Sequence, residues 1–365
     1  MSERPGGKSS ANWKFQMRPN NYDDTFLIIV ELAVSAEWQS EKVQKMLNTY
    51  YDVQKVLYVF IAIVGVPVNL LAILILSRGN CGLSTCTTRY LVAMATADLL
   101  VIITEVILLQ INYYYFPVSF LDITPVCIII RILPRAATDC SVWFTVTFTF
   151  DRYITICCQK LKITYCTGRT ATVVLVTAGT FLTLKSIPFY FAYGPREIID
   201  DIPWFCRWKP SYFTEPGWVG FDWFDTVLTP LLPFSVILLL NALTVRHILV
   251  ASRVRKGLRG QSNGENRTDP EMESRRRSVV LLFTLSGSFI LLWLTSVLFF
   301  MYYQITGLEW TDAEFIFLQM GTLLQNFSCC TNTFIYAVTQ SKFRKQVKAL
   351  LKNTVTSLLL ITHKP

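Results

Sequence analysis

Seven apolar stretches, separated by polar connections, dominate the chain. They run at about 53–77, 87–112, 124–158, 170–193, 221–250, 276–303 and 313–339. Each exceeds the ~18 residues at which a continuous apolar run reads as a membrane-crossing helix. The pattern predicts an all-α membrane protein, a bundle of seven transmembrane helices. After the seventh, Phe343, Val347 and Leu350 alternate at helical period with Lys342, Arg344, Lys345 and Lys348. That alternation predicts a short amphipathic eighth helix on the inner face of the lipid bilayer. Three regions result: an outer N-terminal tail over 1–52, the seven-helix domain over 53–340, and the amphipathic helix and cytoplasmic tail over 341–365.

An odd number of crossings puts the two ends on opposite sides, and charge decides which is which. Arg78 and Arg89 sit in the first short loop and Lys160, Lys162 and Arg169 in the third, both without acids. Between Tyr302 and Lys342 no basic residue occurs, while Glu309, Asp312 and Glu314 cluster there. Basic loops stay cytoplasmic, so the N-terminus is expected outside and the C-terminus inside. The sequons at Asn266 and Asn326 then fall in an inner loop and a span, where neither is glycosylated.

Composition supports the membrane assignment, with 52% hydrophobic and 16% charged residues. A net charge of +9 would point to nucleic acid in a soluble protein. Here the cations flank apolar runs, so no nucleic-acid partner is implied. Ten cysteines without zinc spacing, and two histidines, argue against a metalloenzyme. Membrane enzymes would need His, Asp or Ser clusters inside spans, and none is present, so the chain is not read as an enzyme.

The third apolar stretch carries the chemistry. Arg131, Arg135 and Asp139 follow at four-residue spacing, which places them on one helix face. Glu105 lies about two turns outward of Asp98 on the second stretch, and Asp222 and Asp225 open the fifth. Charges in outer membrane halves usually face a water-filled cavity. Arginine clamps a carboxylate with two parallel hydrogen bonds, and the acids could take an ammonium group. Trp223, Phe224, Trp293, Phe299, Phe300 and Tyr303 offer ring surface nearby. A zwitterion with an aromatic side chain, free or at a peptide end, fits this set. The alternative is an internal salt-bridge network of Arg135 with Asp139 or Glu105, with the rings as packing or interface anchors.

The inner end of the same stretch reads Asp151-Arg152-Tyr153. Around it stand Asn69, Asp98, Pro233, Phe289 with Trp293, Asn332-Thr333-Phe334-Ile335-Tyr336 and Phe343, each in its own span, and Cys127 lies 25 residues before Arg152. This ordered set resembles the rhodopsin-like (class A) G-protein-coupled receptors over about 290 residues. The departures are Ala178 for the fourth-helix tryptophan, and Thr295 and Thr333 for the sixth- and seventh-helix prolines. The blocks 281–293 and 329–333 look like a subgroup of orphan-type receptors proposed to sense aromatic amino acids or short peptides.

The resemblance implies a multi-pass plasma-membrane receptor with an extracellular small-molecule or peptide ligand and a heterotrimeric G protein as partners. It implies a disulfide between Cys127 and Cys206. No cofactor is implied beyond a sodium ion at Asp98, with Asn69, Ser141, Ser328 and Asn332 as hard donors; the alternative is a protonated aspartate with no ion. Activation would run through Trp293 and the Val142–Pro233–Phe289 contact to Asp151, Arg152, Tyr153, Asn332 and Tyr336. Ligand contacts would come from Glu105, Arg131, Arg135, Asp139, Asp225, Trp293 and Phe300. Many relatives restrain the arginine with a sixth-helix acid. Here that region reads Arg275-Arg276-Arg277, with Glu273 as the nearest acid, so a weak latch and ligand-independent signalling are expected. An aminergic ligand is disfavoured by Pro134 at the aspartate position, and a retinal Schiff base by the absence of a seventh-helix lysine. A transporter or channel with these charges along a permeation path is the rival assignment, without the internal repeat that transporters often show.

Overall fold

The structure is a computed structural model that describes residues 41–79, 81–116, 118–259, 270–306 and 312–362. The chain divides into a unit ending at Tyr51 and the helical bundle, Asp52–Pro365. The first helix runs Glu41–Ser77, starting twelve residues before the apolar pattern does. Its leading residues, Glu41-Lys42-Val43-Gln44-Lys45-Met46-Leu47, contain strong helix formers and no Gly or Pro. The second comprises Thr85–Val101, a π-helical stretch Ile102–Ile111 and a last turn Asn112–Tyr115. The third is Thr124–Cys157, the fourth Gly168–Ser186 with a further turn Phe189–Ala192. The fifth is Pro216–Thr226, a π-helical stretch Val227–Leu231 and Leu232–Arg259; the sixth is Pro270–Thr306 and the seventh Asp312–Thr339.

Local chemistry sets the helix starts. Ser84 and Thr167 cap the second and fourth helices by accepting from the backbone N–H of Thr87 and Thr170. Pro125 sits in the first turn of the third, where its missing N–H costs nothing. Inside the spans, Thr145, Thr149, Thr244 and Ser286 return their hydroxyls to the carbonyl four residues back. Those hydroxyls are thereby satisfied without water.

Among the described residues, five helices are long and apolar enough to cross a membrane. The third and seventh are long enough, at 34 and 28 residues, but more polar. The third packs against the second, fourth, fifth and sixth, so its charges point at protein rather than lipid. Large apolar side chains such as Ile63, Val176, Leu239 and Leu298 are more than half exposed on the outside of the bundle, as a lipid-facing surface requires.

One core cluster fills the inner half, around Tyr90, Met94, Phe148, Leu282, Tyr336 and Phe343. A second lies at mid-depth, with Val142, Val146, Ile237, Phe289 and Trp293. The eighth helix spans Ser341–Thr362 and is not short: at 22 residues it extends well past the expected segment. No Gly or Pro interrupts the sequence until Pro365, so nothing stops it earlier.

The loop before the fifth helix holds structure the apolar pattern does not announce. Strands β1 (Tyr193–Ile199) and β2 (Ile202–Trp208) pair antiparallel with Ile199 opposite Ile202. The two-residue turn is Asp200-Asp201, both at positive φ, which Asp tolerates and a tight hairpin demands. Cys206 on β2 is disulfide-bonded to Cys127 on the third helix, with Cα atoms 5.9 Å apart. Thr124 Oγ1 donates to the Phe205 carbonyl at 2.7 Å.

The hairpin is therefore stapled over the third helix. Cys206→Ser should sharply reduce surface expression, because the 79-residue separation corresponds to roughly 4 kcal/mol of unfolded-state entropy. Flow cytometry on intact cells checks it, and surface levels equal to wild type would show the staple to be dispensable.

Candidate functional site

Beneath the hairpin a cavity of about 410 Å³ opens between the helices. Glu105, Arg131, Arg135, Asp139, Asp225 and Trp293 all line it. The third helix brings its three charges to the cavity through their four-residue spacing. Glu105 arrives by a different route, from the π-helical stretch. There residues five apart share a face, and Gln110 Nε2 donates to Glu105 Oε1 at 2.8 Å.

These charges are not equivalent. Arg135 Nη1 donates to Asp225 Oδ2 at 3.3 Å, and its guanidinium lies 4.2 Å from the Phe189 ring centre and 5.3 Å from that of Trp208. Asp139 and Asp225 both meet Lys185 of the fourth helix, Asp139 Oδ2 at 2.7 Å. Glu105 and Arg131 make no ion pair among the described residues. The internal network that competes with a ligand role thus exists, but around Arg135, Asp139, Asp225 and Lys185.

Lys185 is a residue sequence reasoning missed. Its signal was a lone lysine within the fourth apolar run, which calls for a partner at that depth. The aromatic expectations also need correction. Phe300 is half-buried and does not line the cavity, and Trp223 and Phe224 are nearly half exposed. Phe299 is buried near Phe317, and the Tyr303 side chain lies outside the described residues. Trp223, Phe224, Phe299 and Phe300 miss the cavity because their helices turn those faces elsewhere.

The rings that gather beside Arg135 are Tyr193, which lines the cavity, and Trp208 and Tyr212, stacked at 4.0 and 4.2 Å, with Phe189 and Phe221 against them. Tyr212, in the loop, donates its hydroxyl to Asp222, and burial pushes its pKa upward.

The floor of the cavity leads inward along two paths. Trp293 stacks on Phe289 at 5.1 Å within the mid-depth cluster that includes Val142. Pro233 is buried on the fifth helix. The fifth helix breaks earlier, around Pro230, where Thr229 leaves helical geometry and both residues line the cavity. Ser141, also on the lining, donates to Asp98 Oδ1 at 2.5 Å, and Asn332 Nδ2 donates to Asp98 Oδ2 at 2.7 Å.

The other two expected ion donors make bonds of their own, although Asn69 Oδ1, the atom that could face a cation, stays buried with no hydrogen-bond partner among the described residues. Asn69 Nδ2 bonds the carbonyls of Gly65 and Cys329. Ser328 donates to the Gln325 carbonyl and accepts from Trp293 Nε1 at 3.3 Å. The oxygen-rich, singly charged set around Asp98 still suits a small monovalent cation in donor chemistry, with Asp98 and Ser141 as its centre.

At the inner end Asp151 and Arg152 are buried and ion-paired, Arg152 Nε at 3.0 Å from Asp151 Oδ2. Cys86 Sγ donates to the other carboxylate oxygen at 3.0 Å. Arg152 has no other ion pair among the described residues; the Glu273 side chain lies outside them. Tyr153 is half-buried beside the pair. Tyr336 is fully buried, 6.0 Å from Phe343, and its hydroxyl has no hydrogen-bond partner among the described residues. Arg152, Lys162, Arg277 and Lys342 line a second cleft of about 570 Å³, and no acid lines it among the described residues.

A helical bundle with a disulfide-stapled hairpin over an outer charged cavity, and a buried acid–arginine pair at its inner rim, has the build of a transmembrane signalling receptor. The family model of the 7 transmembrane receptor (rhodopsin family) matches residues 68–336. The chain belongs to that family. It is a G-protein-coupled receptor and not an enzyme, and such receptors are multi-pass proteins of the plasma membrane.

Its similarity to individual members is distant. Growth hormone secretagogue receptor type 1 of Mustela putorius furo is 25% identical over 302 residues, 79% of this chain and 78% of that one. "Probable G-protein coupled receptor 142" of Mus musculus is 22% identical over 267 residues, 72% of this chain and 65% of that one. The FMRFamide receptor of Drosophila melanogaster is 23% identical over 310 residues, covering 80% and 52%.

Proposed function

We propose that this receptor, with its N-terminus extracellular, responds to a small zwitterion bearing an aromatic group, either a free amino acid or the end of a short peptide. One observation carries the proposal: the cavity holds one arginine and one carboxylate, Arg131 and Glu105, that sense each other's charge but form no ion pair at contact distance among the described residues. Arg131 would clamp the carboxylate and Glu105 the ammonium. About 410 Å³ admits an amino acid or a very short peptide. Trp293 and Tyr193 supply ring surface for the side chain. The name of one relative, for FMRFamide, favours a peptide-like ligand, although an amidated end offers an ammonium to Glu105 and no terminal carboxylate to Arg131.

Occupancy would move Trp293 against Phe289, shift the Val142–Phe289–Pro233 region and swing the inner end of the sixth helix outward. Arg152 then leaves Asp151, meets Tyr336 and admits a G protein into the cationic cleft, whose four basic residues favour an acidic surface on that partner.

The test is a screen of amino acids and short peptides on transfected cells, with calcium and cyclic-AMP reporters. Each hit is repeated with its carboxylate amidated and its amine acetylated. Both blocks are expected to reduce potency. A strong agonist that lacks both charged ends would overturn the assignment.

We further propose a sodium ion at Asp98, Ser141 and Asn332, which would hold the resting packing. Sodium chloride should raise the melting temperature of the purified receptor by a few degrees over choline chloride at equal ionic strength. Asp98→Asn should remove that difference; its survival in the variant would place any ion elsewhere.

A further inference from the structure

Three carboxylates line the outer cavity, and two of them are already occupied. Lys185 of the fourth helix meets those two without itself lining the cavity, its side chain only 3% exposed. Its ammonium lies 2.7 Å from Asp139 Oδ2 and contacts Asp225 Oδ1, whose other oxygen takes Arg135. An ammonium has three donors and no acceptor, and here two carboxylates converge on it. Seen from the cavity, the arrangement is that of a primary amine held between two acids. Seen from the chain, that amine is covalently attached.

We propose that Lys185 is a built-in occupant of an amine subsite, a specificity-determining residue that fills the place between Asp139 and Asp225. The inference rests on the outer cavity being the ligand site. A tethered cation competes at high effective concentration, so a free amine cannot displace it. The charge pattern that remains for a ligand is Arg131 and the single carboxylate of Glu105. Ligands with one carboxylate and one ammonium are matched, whereas those with two cationic groups find one acid too few. Discrimination arises from the rejected ligand's unpaired charge rather than from added contacts to the accepted one.

A structural strut would place the same bonds between the third, fourth and fifth helices, so the test must ask whether the position accepts a free amine. Lys185→Ala removes three methylenes and the ammonium, which n-propylammonium replaces through the open cavity. The full-length receptor, purified in lipid nanodiscs, is followed by thermal unfolding against n-propylammonium chloride, with n-propanol and sodium chloride as controls.

The variant is expected to melt below wild type and to recover in a saturable manner with n-propylammonium alone. Wild type should not respond, and Lys185→Ala with Asp139→Asn should lose the recovery. Equal responses of wild type and variant, or no response of the variant, would overturn the proposal. If the variant does not accumulate, its surface level is measured in cells grown with and without the amine: amine-dependent accumulation supports the proposal, and amine-independent failure overturns it. No agonist enters the measurement, so a negative result here leaves the Arg131–Glu105 assignment standing, and the converse also holds.

Discussion

Arg131→Ala is expected to shift the response to a carboxylate-bearing agonist about a hundredfold to higher concentration at matched surface expression. Two charge-assisted hydrogen bonds at about 1.5 kcal/mol each give about 3 kcal/mol, which is that factor. Arg131→Lys should recover only part, because an ammonium makes a point contact where the guanidinium makes a planar pair. The amidated agonist supplies the cycle: its potency should already be low on wild type and should change little in Arg131→Ala.

Arg135→Ala is the informative contrast. Its guanidinium is occupied by Asp225 and by the faces of Phe189 and Trp208. Its loss is expected to lower surface expression rather than agonist affinity. If Arg135→Ala shifts potency at normal expression while Arg131→Ala does not, the clamp has been placed on the wrong turn of the third helix.

The second large effect is at the inner rim. Arg152→Ala should abolish agonist-driven G-protein activation while binding at the outer cavity persists, since Arg152 faces the inner cleft and no part of the outer one. Asp151→Asn should act in the opposite direction. Removing one member of a buried ion pair costs roughly 3–5 kcal/mol because the other charge stays uncompensated. An arginine at the edge of an open cleft can avoid that cost by moving into it, towards the active arrangement.

Basal signalling in Asp151→Asn is therefore expected to rise several-fold over wild type. Wild type itself should signal above mock-transfected cells, since Asp151 is the ion partner of Arg152 among the described residues and also accepts from Cys86. Nucleotide-exchange assays on membranes measure both. Wild-type activity indistinguishable from mock would show that the latch is stronger than this pairing implies.

Much of the fold was legible because its causes are local. A bilayer demands long apolar runs with internally satisfied backbone, and the limits 124–158 and 313–339 fall within a residue of the helices Thr124–Cys157 and Asp312–Thr339. The four-residue spacing of Arg131, Arg135 and Asp139 likewise put them on one face, and all three line one cavity. Family resemblance named Cys127 and Cys206, and the structure joins them.

The pairing of charges was not legible. Lys185 lies 40 to 46 positions from the acids it meets, Asp225 and Asp139. No periodicity within one helix specifies which face of the next it will touch.

The sequence by itself determined seven crossings, the limits of the third and the seventh, and the side chains that a membrane forces inward, because each of these follows from transfer energies along a single helix. Only the tertiary structure decided which charges are spent on one another and which form no ion pair among the described residues. Ion pairing depends on distances of a few ångströms between helices remote in the chain, and Arg131 and Arg135, alike in type and one turn apart, differ in their pairing by that alone.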